Sequence, residues 1–451
     1  MASTYLTKTF GSAGSLTTWT LSFWVKKAGN GIEQRIFNCD DDASGNNDQW
    51  MKFDGSDILQ FSQYQSGYTQ KIETNRKFRD NNGWYHIVLV WDTTNGTAGD
   101  RTRIYINGVR ETSFSSEVQA SSSLSSLINN TTYPFEIGRR GLNGSQFFTG
   151  SLSHVHFCDG TALAPTVFGS TDATTGEWKI NTSPSFTLGT NGFTILKDGN
   201  TITDQSSNSN NFTLGAGTLT KTEDCPSNVF ATLNPLDQAH ISTKPTIAYG
   251  NTQWTASGNS TSNCSIRGTI GASSGKYYFE VKLLEATNQL IGVDCPDVAG
   301  AWYDNTGYMG NHSGFYAILI NSTDTIRSVV AGSGGGTDLG TVTNNDIIGC
   351  AFDFDNGKFY FSKNGSWLNS GDPTSGSTGT GSFGNLASGL YVPAITNYSY
   401  GTASSTAFNF GNGYFGTTAV SSAGTNASGN GIFEYDVPTG YTALSTKGLN
   451  T

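Results

Sequence analysis

The stretch Ile347–Trp367, IIGCAFDFDNGKFYFSKNGSW, constrains the fold of this chain more than any other. An apolar strand meets a turn at Asp355-Asn356-Gly357, an aromatic strand follows, and a second turn stands at Asn364-Gly365. Asn-Gly and Asp-x-Gly between alternating apolar runs signal hairpins, because type I′ turns need positive φ at their central residues. Ile87–Val109, IVLVWDTTNGTAGDRTRIYINGV, repeats the construction and ends at Asn107-Gly108. Two such hairpins, far apart in one chain, predict two antiparallel β-sandwiches that display loops.

A length of 451 residues fits two or three domains. With 56 Gly, 12% aromatic and only 13% charged residues, the composition is that of an all-β protein with a polar, weakly charged surface. The nearest helix candidate, Glu117–Asn129, is mostly Ser and Ala without an apolar stripe, and reads as a loop. The net charge is −10, and no basic cluster exceeds Arg76, Lys77 and Arg79. Nucleic-acid binding needs a contiguous basic patch for phosphates, so none is expected. No apolar run is long enough for a membrane helix, and the start MASTYLTKTF reads as a mature cytoplasmic one, so membrane insertion is not expected. The six cysteines (39, 158, 225, 264, 295, 350) form no C-x-x-C pair and read as reduced thiols, mostly buried, rather than a disulfide or zinc framework.

The first region, 1–169, carries short strands at even spacing. In Thr18–Lys26, Thr20, Ser22 and Trp24 face one way and Trp19, Leu21, Phe23 and Val25 the other, a half-buried pattern. The ordered blocks WTLSFWVK, GWYHIVLVWD, TRIYINGV, FEIGRRG and FFTGSLSHVHFCDGTALAP resemble laminin-G-like domains of the concanavalin A-like lectin/glucanase superfamily. The blocks GKYYFEVKL, IGVDC, GFYAILIN, IIGCAFDFDNGKFYFSKNG, GLYVPAITN and TAFNFG, spread over 250–415, resemble a SPRY domain. Between them, 170–249 holds Trp178, Ile180, Phe186, Phe193, Ile195, Leu196, Phe212, Phe230 and Leu233, too many apolar side chains for a solvated linker, and reads as a small ordered connector. The tail, 416–451, opens with a Ser/Gly/Asn-rich stretch expected to be mobile and ends in aromatics expected to dock. The fold class is therefore all-β: two antiparallel jelly-roll-type sandwiches joined by a small β-rich connector. This order of parts resembles structural proteins of marine tailed phages.

Glycan hydrolysis is the first chemistry to weigh, because the resemblance includes glucanases. Their carboxylates come from one strand, as Glu-x-Asp followed closely by Glu, and side chains two apart on a strand share a face. Here the sole Glu-x-Asp is Glu434/Asp436, in the tail, with no second Glu behind it. No Gly-x-Ser-x-Gly elbow or phosphate-binding loop occurs in a fitting context. His154 and His156, at i and i+2, suit either a metal or a wet strand face. The densest carboxylate loop, with Asp40, Asp41, Asp42 and Asp48, offers the carboxylates, amides and carbonyls that calcium takes. Laminin-G relatives often hold calcium at a loop rim, and a plain acidic loop is the alternative. In the SPRY-like part, Trp302, Tyr303 and Tyr308 stand in a long loop, and SPRY domains bind partners through such loops. Aromatics beside Asp and Asn suit sugar stacking, a protein hot spot or packing on the domain's own core.

The resulting expectation is a non-enzymatic phage virion structural protein, a tail fibre, appendage or surface adhesion component, whose modules bind carbohydrate or protein. It would need no cofactor; calcium at the acidic loop is the one candidate. It would assemble in the host cytoplasm into a homo-oligomer on the virion surface, contacting other virion proteins and a host-surface glycan. The rival readings are an architectural capsid or tail decoration protein and a glycan-degrading enzyme.

Overall fold

A computed structural model of the chain describes residues 3–41, 44–197, 201–238, 244–257, 263–298, 309–334, 336, 338–397 and 403–450. The chain divides into two compact units, 1–221 and 222–451. Strands dominate, and the described residues hold helix only as short 3-10 turns. Glu117–Asn129 contains no helix; its first two residues end the strand Phe114–Val118.

Unit 1 is a sandwich of an eight-stranded and a six-stranded antiparallel sheet. The larger sheet runs Phe114–Val118, Tyr68–Lys77, Ile58–Gln65, Asn47–Phe53, Gln34–Asp40, Phe135–Ile137, Tyr5–Lys8 and Thr213–Ala216. The smaller runs Phe193–Ile195, Gly150–Asp159, Thr18–Lys27, Tyr85–Asp92, Thr102–Ile106 and Val109–Arg110. Alternation sends Trp19, Leu21, Phe23 and Val25 inward to meet Phe37, Met51, Phe53 and Phe61. Trp19 stacks on Trp91 at 6.0 Å at the centre.

The strand Thr18–Lys27 is not half-buried. Thr20 and Ser22 are fully enclosed and Trp24 nearly so. The reason lies downstream: residues 161–187 lie across the outer face of the smaller sheet. There Val88, Val90 and Phe168 form a second, separate apolar cluster with Leu163, Val167 and Phe186.

Residues 170–249 are not an independent connector. The first part belongs to unit 1, where Phe193, Ile195, Leu196 and Phe212 join the core. The second belongs to unit 2, where Phe230 and Leu233 are buried. Each half completes a sheet of its own sandwich, Thr213–Ala216 beside Tyr5–Lys8 and Leu233–Gln238 beside Ser265–Gly268.

Unit 2 packs a seven-stranded sheet on an eight-stranded one. The first runs Leu233–Gln238, Ser265–Gly268, Val392–Asn397, Gln289–Asp294, Phe315–Ile320, Ile326–Val330 and Ser333–Gly334. The second runs Thr246–Ala248, Gln253–Ser257, Ala403–Asn409, Lys276–Glu285, Ile347–Asp353, Lys358–Lys363 and Ser366–Trp367, with Thr442–Ala443 added in parallel beside Lys276–Glu285. Both Asn-Gly turns have the expected backbone: φ is 48° and 78° at Asn107 and Gly108, and 49° and 80° at Asn364 and Gly365. The Asp355-Asn356-Gly357 turn differs. It is a longer connection in which, of those three residues, only Gly357 has positive φ, 63°.

The tail is part of unit 2. Phe433, Val437, Tyr441, Ala443 and Leu444 are buried in its core, and each large apolar side chain so enclosed contributes about 2 kcal/mol. Its Ser/Gly/Asn-rich opening is pinned rather than loose. Gly424 N donates to Phe433 O at 3.0 Å, Val437 N to Thr425 O at 2.8 Å, and Asn426 Nδ2 to the carbonyls of Asn430 and Gly431 at 2.9 Å.

Candidate functional site

In unit 1 the acidic loop lies at the hairpin joining Gln34–Asp40 to Asn47–Phe53. Asp41 turns back on its own loop, accepting from Ser44 N at 3.0 Å, Gly45 N at 3.1 Å and Asn47 Nδ2 at 3.3 Å. These donors, led by the Ser44 hydroxyl, hold its carboxyl below the usual range. Asp40 Oδ2 accepts from Asn38 Nδ2 at 2.7 Å and Leu142 N at 3.0 Å. Both Asp48 oxygens lie 2.8 Å from Arg35 Nη1. Burial nevertheless pushes Asp48 up to about 6. Asp42 lies outside the described residues. The three described carboxylates are thus engaged with different partners, and among the described residues no group of three or more His, Cys, Asp or Glu is placed to hold a metal.

Strand register makes a pairing that inspection of single strands missed. Asp40 stands directly opposite Asp48, and Glu136 opposite Asn38, on the sheet face turned away from the core. A reading confined to Glu-x-Asp on one strand cannot see a carboxylate pair formed across a hairpin. A glycosidase needs both carboxylates open to the sugar. Here Asp40 is 1% and Asp48 3% exposed, and Asp48 is locked to Arg35. The same face carries aromatics. The Arg35 guanidinium sits 4.7 Å from the Trp50 ring, Trp50 lies 6.2 Å from Tyr68, and Tyr68 lies 5.4 Å from Tyr64. Tyr68 is 45% exposed, with Lys71 Nζ 4.9 Å from its ring. This surface offers a ring and polar neighbours for contact, with its acids sealed beneath.

The histidines of unit 1 are buried and do not line a wet face. Trp178 Nε1 donates to His86 Nδ1 at 2.9 Å. An indole nitrogen only donates, so His86 carries its proton on Nε2 and donates it to Ser22 Oγ, 2.9 Å away. A Ser–His nucleophile needs the opposite polarity. His154 lies in the register shift between Ser153 and His156, and its ring is 6.3 Å from that of His156. His240 falls outside the described residues. All six cysteines are free thiols, five of them buried. Burial pushes Cys264 up to about 11.

In unit 2, Trp302, Tyr303 and Tyr308 lie outside the described residues. The base of their loop is built on Asp294, fully enclosed, which accepts from Arg267 Nε at 2.7 Å and faces His312 Nδ1 at 2.6 Å. His312 Nε2 meets Val298 O at 3.0 Å. A depression of about 320 Å³ is lined by Ser273, Asp355, Asn356, Ser388 and the stacked pair Phe354 and Tyr391, 5.4 Å and 7° apart. Asp355 Oδ1 accepts from Gly275 N at 2.7 Å, and Asn356 Nδ2 donates to Asp353 at 2.8 Å. The walls are mainly polar, with Phe354 partly exposed and Tyr391 buried behind it, and suit a small polar ligand or a peptide loop. Its Asp-Asn-Gly turn was marked in the sequence, as was the start of GLYVPAITN at Gly389; Leu386–Ser388 were not.

Residues 2–168 match the family model of the concanavalin A-like lectin/glucanases superfamily, laminin-G type, and residues 276–412 match that of the SPRY domain. The chain thus carries a laminin-G-like, concanavalin A-like domain followed by a SPRY domain, both of kinds that generally bind carbohydrate or protein. Among solved structures it is similar to the SPRY domain of human HERC1, at 14% identity over 39% of this chain and 96% of that one, with a TM-score of 0.30. It is similar also to the TRIM65 PSpry domain (12% identity, 40% and 91% covered, TM-score 0.29) and to the heptameric SAP-like pentraxin of Limulus polyphemus (16%, 36% and 71%, TM-score 0.27). No curated protein matches it.

Proposed function

We propose that this chain is a non-enzymatic structural component of a phage virion, a tail fibre, appendage or surface adhesion protein whose sandwiches contact a host-surface glycan and neighbouring virion proteins. It stands at the virion surface as a homo-oligomer. The observation that carries the reading is the outer face of the larger sheet of unit 1. Tyr68 is presented to solvent there, while Asp40 and Asp48 are closed off. Such a face can hold a sugar ring but brings no acid and nucleophile to it. The test is binding of the full chain to immobilised host polysaccharides, with reducing-sugar release measured in parallel. Binding that falls at least about tenfold in Tyr68→Ala, consistent with loss of one stacking contact of about 1.4 kcal/mol, supports the reading. Sugar release that disappears in Asp48→Asn overturns it in favour of a glycan-degrading enzyme. A second reading, an architectural decoration protein, draws on the exposed end strand Thr213–Ala216, whose free edge invites pairing with a neighbouring copy. Full copy number on purified particles with no glycan binding would favour it.

A further inference from the structure

The cover over the smaller sheet of unit 1 is fastened through two buried imidazoles. Its first anchor is Thr20, whose Oγ1 donates to Thr161 O at 2.8 Å and accepts from Leu163 N at 2.9 Å. Its last is Cys158, whose Sγ reaches Thr187 O at 3.0 Å. Between them stand His86, from Tyr85–Asp92, and His156, from Gly150–Asp159. His86 receives the Trp178 indole and stacks on Trp24 at 4.8 Å. His156 lies 5.7 Å from Phe168 and 5.8 Å from Phe186, and its Nδ1 pairs with Thr194 Oγ1 at 2.9 Å.

Among the described residues, no acidic group acts on either ring. His86 has Ser22, Trp24, Phe168 and Trp178 around it, and burial alone sets its titration. The charged groups that act on His156 among the described residues are His154, His86 and Lys197, which all oppose a positive charge. The cover's own ion pair, Lys179 with Asp172 at 2.7 Å, is directed to itself. His86 Nε2 already carries a proton, so an added proton must go to Nδ1. That places two N–H groups against each other and removes the Trp178 bond.

We infer that residues 161–187 form an acid-released cover, which leaves the outer face of the smaller sheet in mildly acidic solution while the sandwich beneath stays folded. The apolar cluster under the cover is separate from the interior core, so the two can part. Burial pushes both rings down to about 3. The uncovered rings would titrate near the ordinary 6.5. Below that pH the open form takes up protons and the covered form does not. Opening therefore gains about tenfold per histidine for each pH unit of fall, until the covered rings themselves titrate.

Cys158 reports the release. The full chain is treated with dithiodipyridine, which modifies thiols in acid, and labelled peptides are quantified at pH 6.5 and 4.5 against the half-buried Cys225. The expected result is a rise on the order of 1,000-fold in relative labelling of Cys158, about 50-fold from each of the two histidines, with the core thiol Cys39 protected at both pH values. Cys158 staying protected at pH 4.5, or Cys39 opening with it, overturns the inference. His86→Gln and His156→Gln, singly and together, should shift the transition to lower pH. An unshifted transition in whichever of these variants folds at neutral pH would also overturn it.

Discussion

Replacing Glu280 by alanine removes the acceptor on which the C-terminal segment of unit 2 is hung. Glu280 is wholly enclosed. Its carboxylate accepts from Glu434 N and Tyr435 N at 2.8 Å, from Tyr278 OH at 3.1 Å and from Asn409 Nδ2 at 3.3 Å. Phe433 packs on Tyr278 at 5.1 Å beside it. A buried donor left without an acceptor costs about 1–3 kcal/mol, but the tail can loosen and let water in. The expected loss is therefore about 3–5 kcal/mol, below the four-donor sum. Glu280→Gln adds a sign test. Burial pushes Glu280 up to about 7, above the ordinary 4.5, against the four donors that hold it down. A carboxyl that keeps its proton longer in the folded state contributes full stability below about 4.5 and loses it as pH rises through 7. At about 1.4 kcal/mol per pH unit, this interval is worth about 3 kcal/mol. Urea unfolding from pH 4.5 to 8, with limited proteolysis of residues 417–440 as a local readout, measures both effects. The reasoning fails if the alanine variant loses less than about 1 kcal/mol, or if the glutamine variant keeps the wild-type pH slope.

Gly108→Ala should destabilise unit 1 by about 2 kcal/mol or more, because φ there is 78° and a methyl group would lie 2.3 Å from the Trp178 ring. Urea unfolding and a red-shifted Trp178 emission check it; an unchanged midpoint would count against the contact. Asp48→Asn should cost about 3 kcal/mol by leaving Arg35 buried without its counter-charge, and a neutral outcome in chemical denaturation would show that the pair is dispensable. Millimolar calcium should raise the melting temperature no more than magnesium does, since Asp41 and Asp48 are already engaged. A calcium-specific rise abolished by Asp40→Asn with Asp42→Asn would instead establish the acidic loop as a site.

What could be read in the sequence was local. Asn107-Gly108 and Asn364-Gly365 fix their turns through the residues themselves, and the inward alternation of Trp19, Leu21, Phe23 and Val25 needs only its own strand. What escaped was contributed from afar. Thr20 and Ser22 look like solvent-facing residues until a segment some 140 positions later covers them. Glu280 alternates with apolar neighbours like any surface acid, yet its partners lie 154 and 155 residues downstream. The Asp40–Asp48 pair becomes visible only when the register of two strands is set. The apolar side chains of 170–249 foretold order, but not that the order would be shared between two cores.

The parallel strand Thr442–Ala443 has a consequence for how this protein is made. Chains emerge from the ribosome in order, and domains tend to fold as units as they appear. Unit 1 has its last paired strand by Ala216. Unit 2 begins at Thr222 but cannot close over Tyr278 and Glu280 until Phe433, Tyr441 and Leu444 have been synthesised. Through most of its translation this half exposes an aromatic strand and an unfilled sheet position. Ribosome stalling or premature termination within roughly the last turn-rich segment would therefore release a finished first sandwich tethered to an adhesive, unfinished second one.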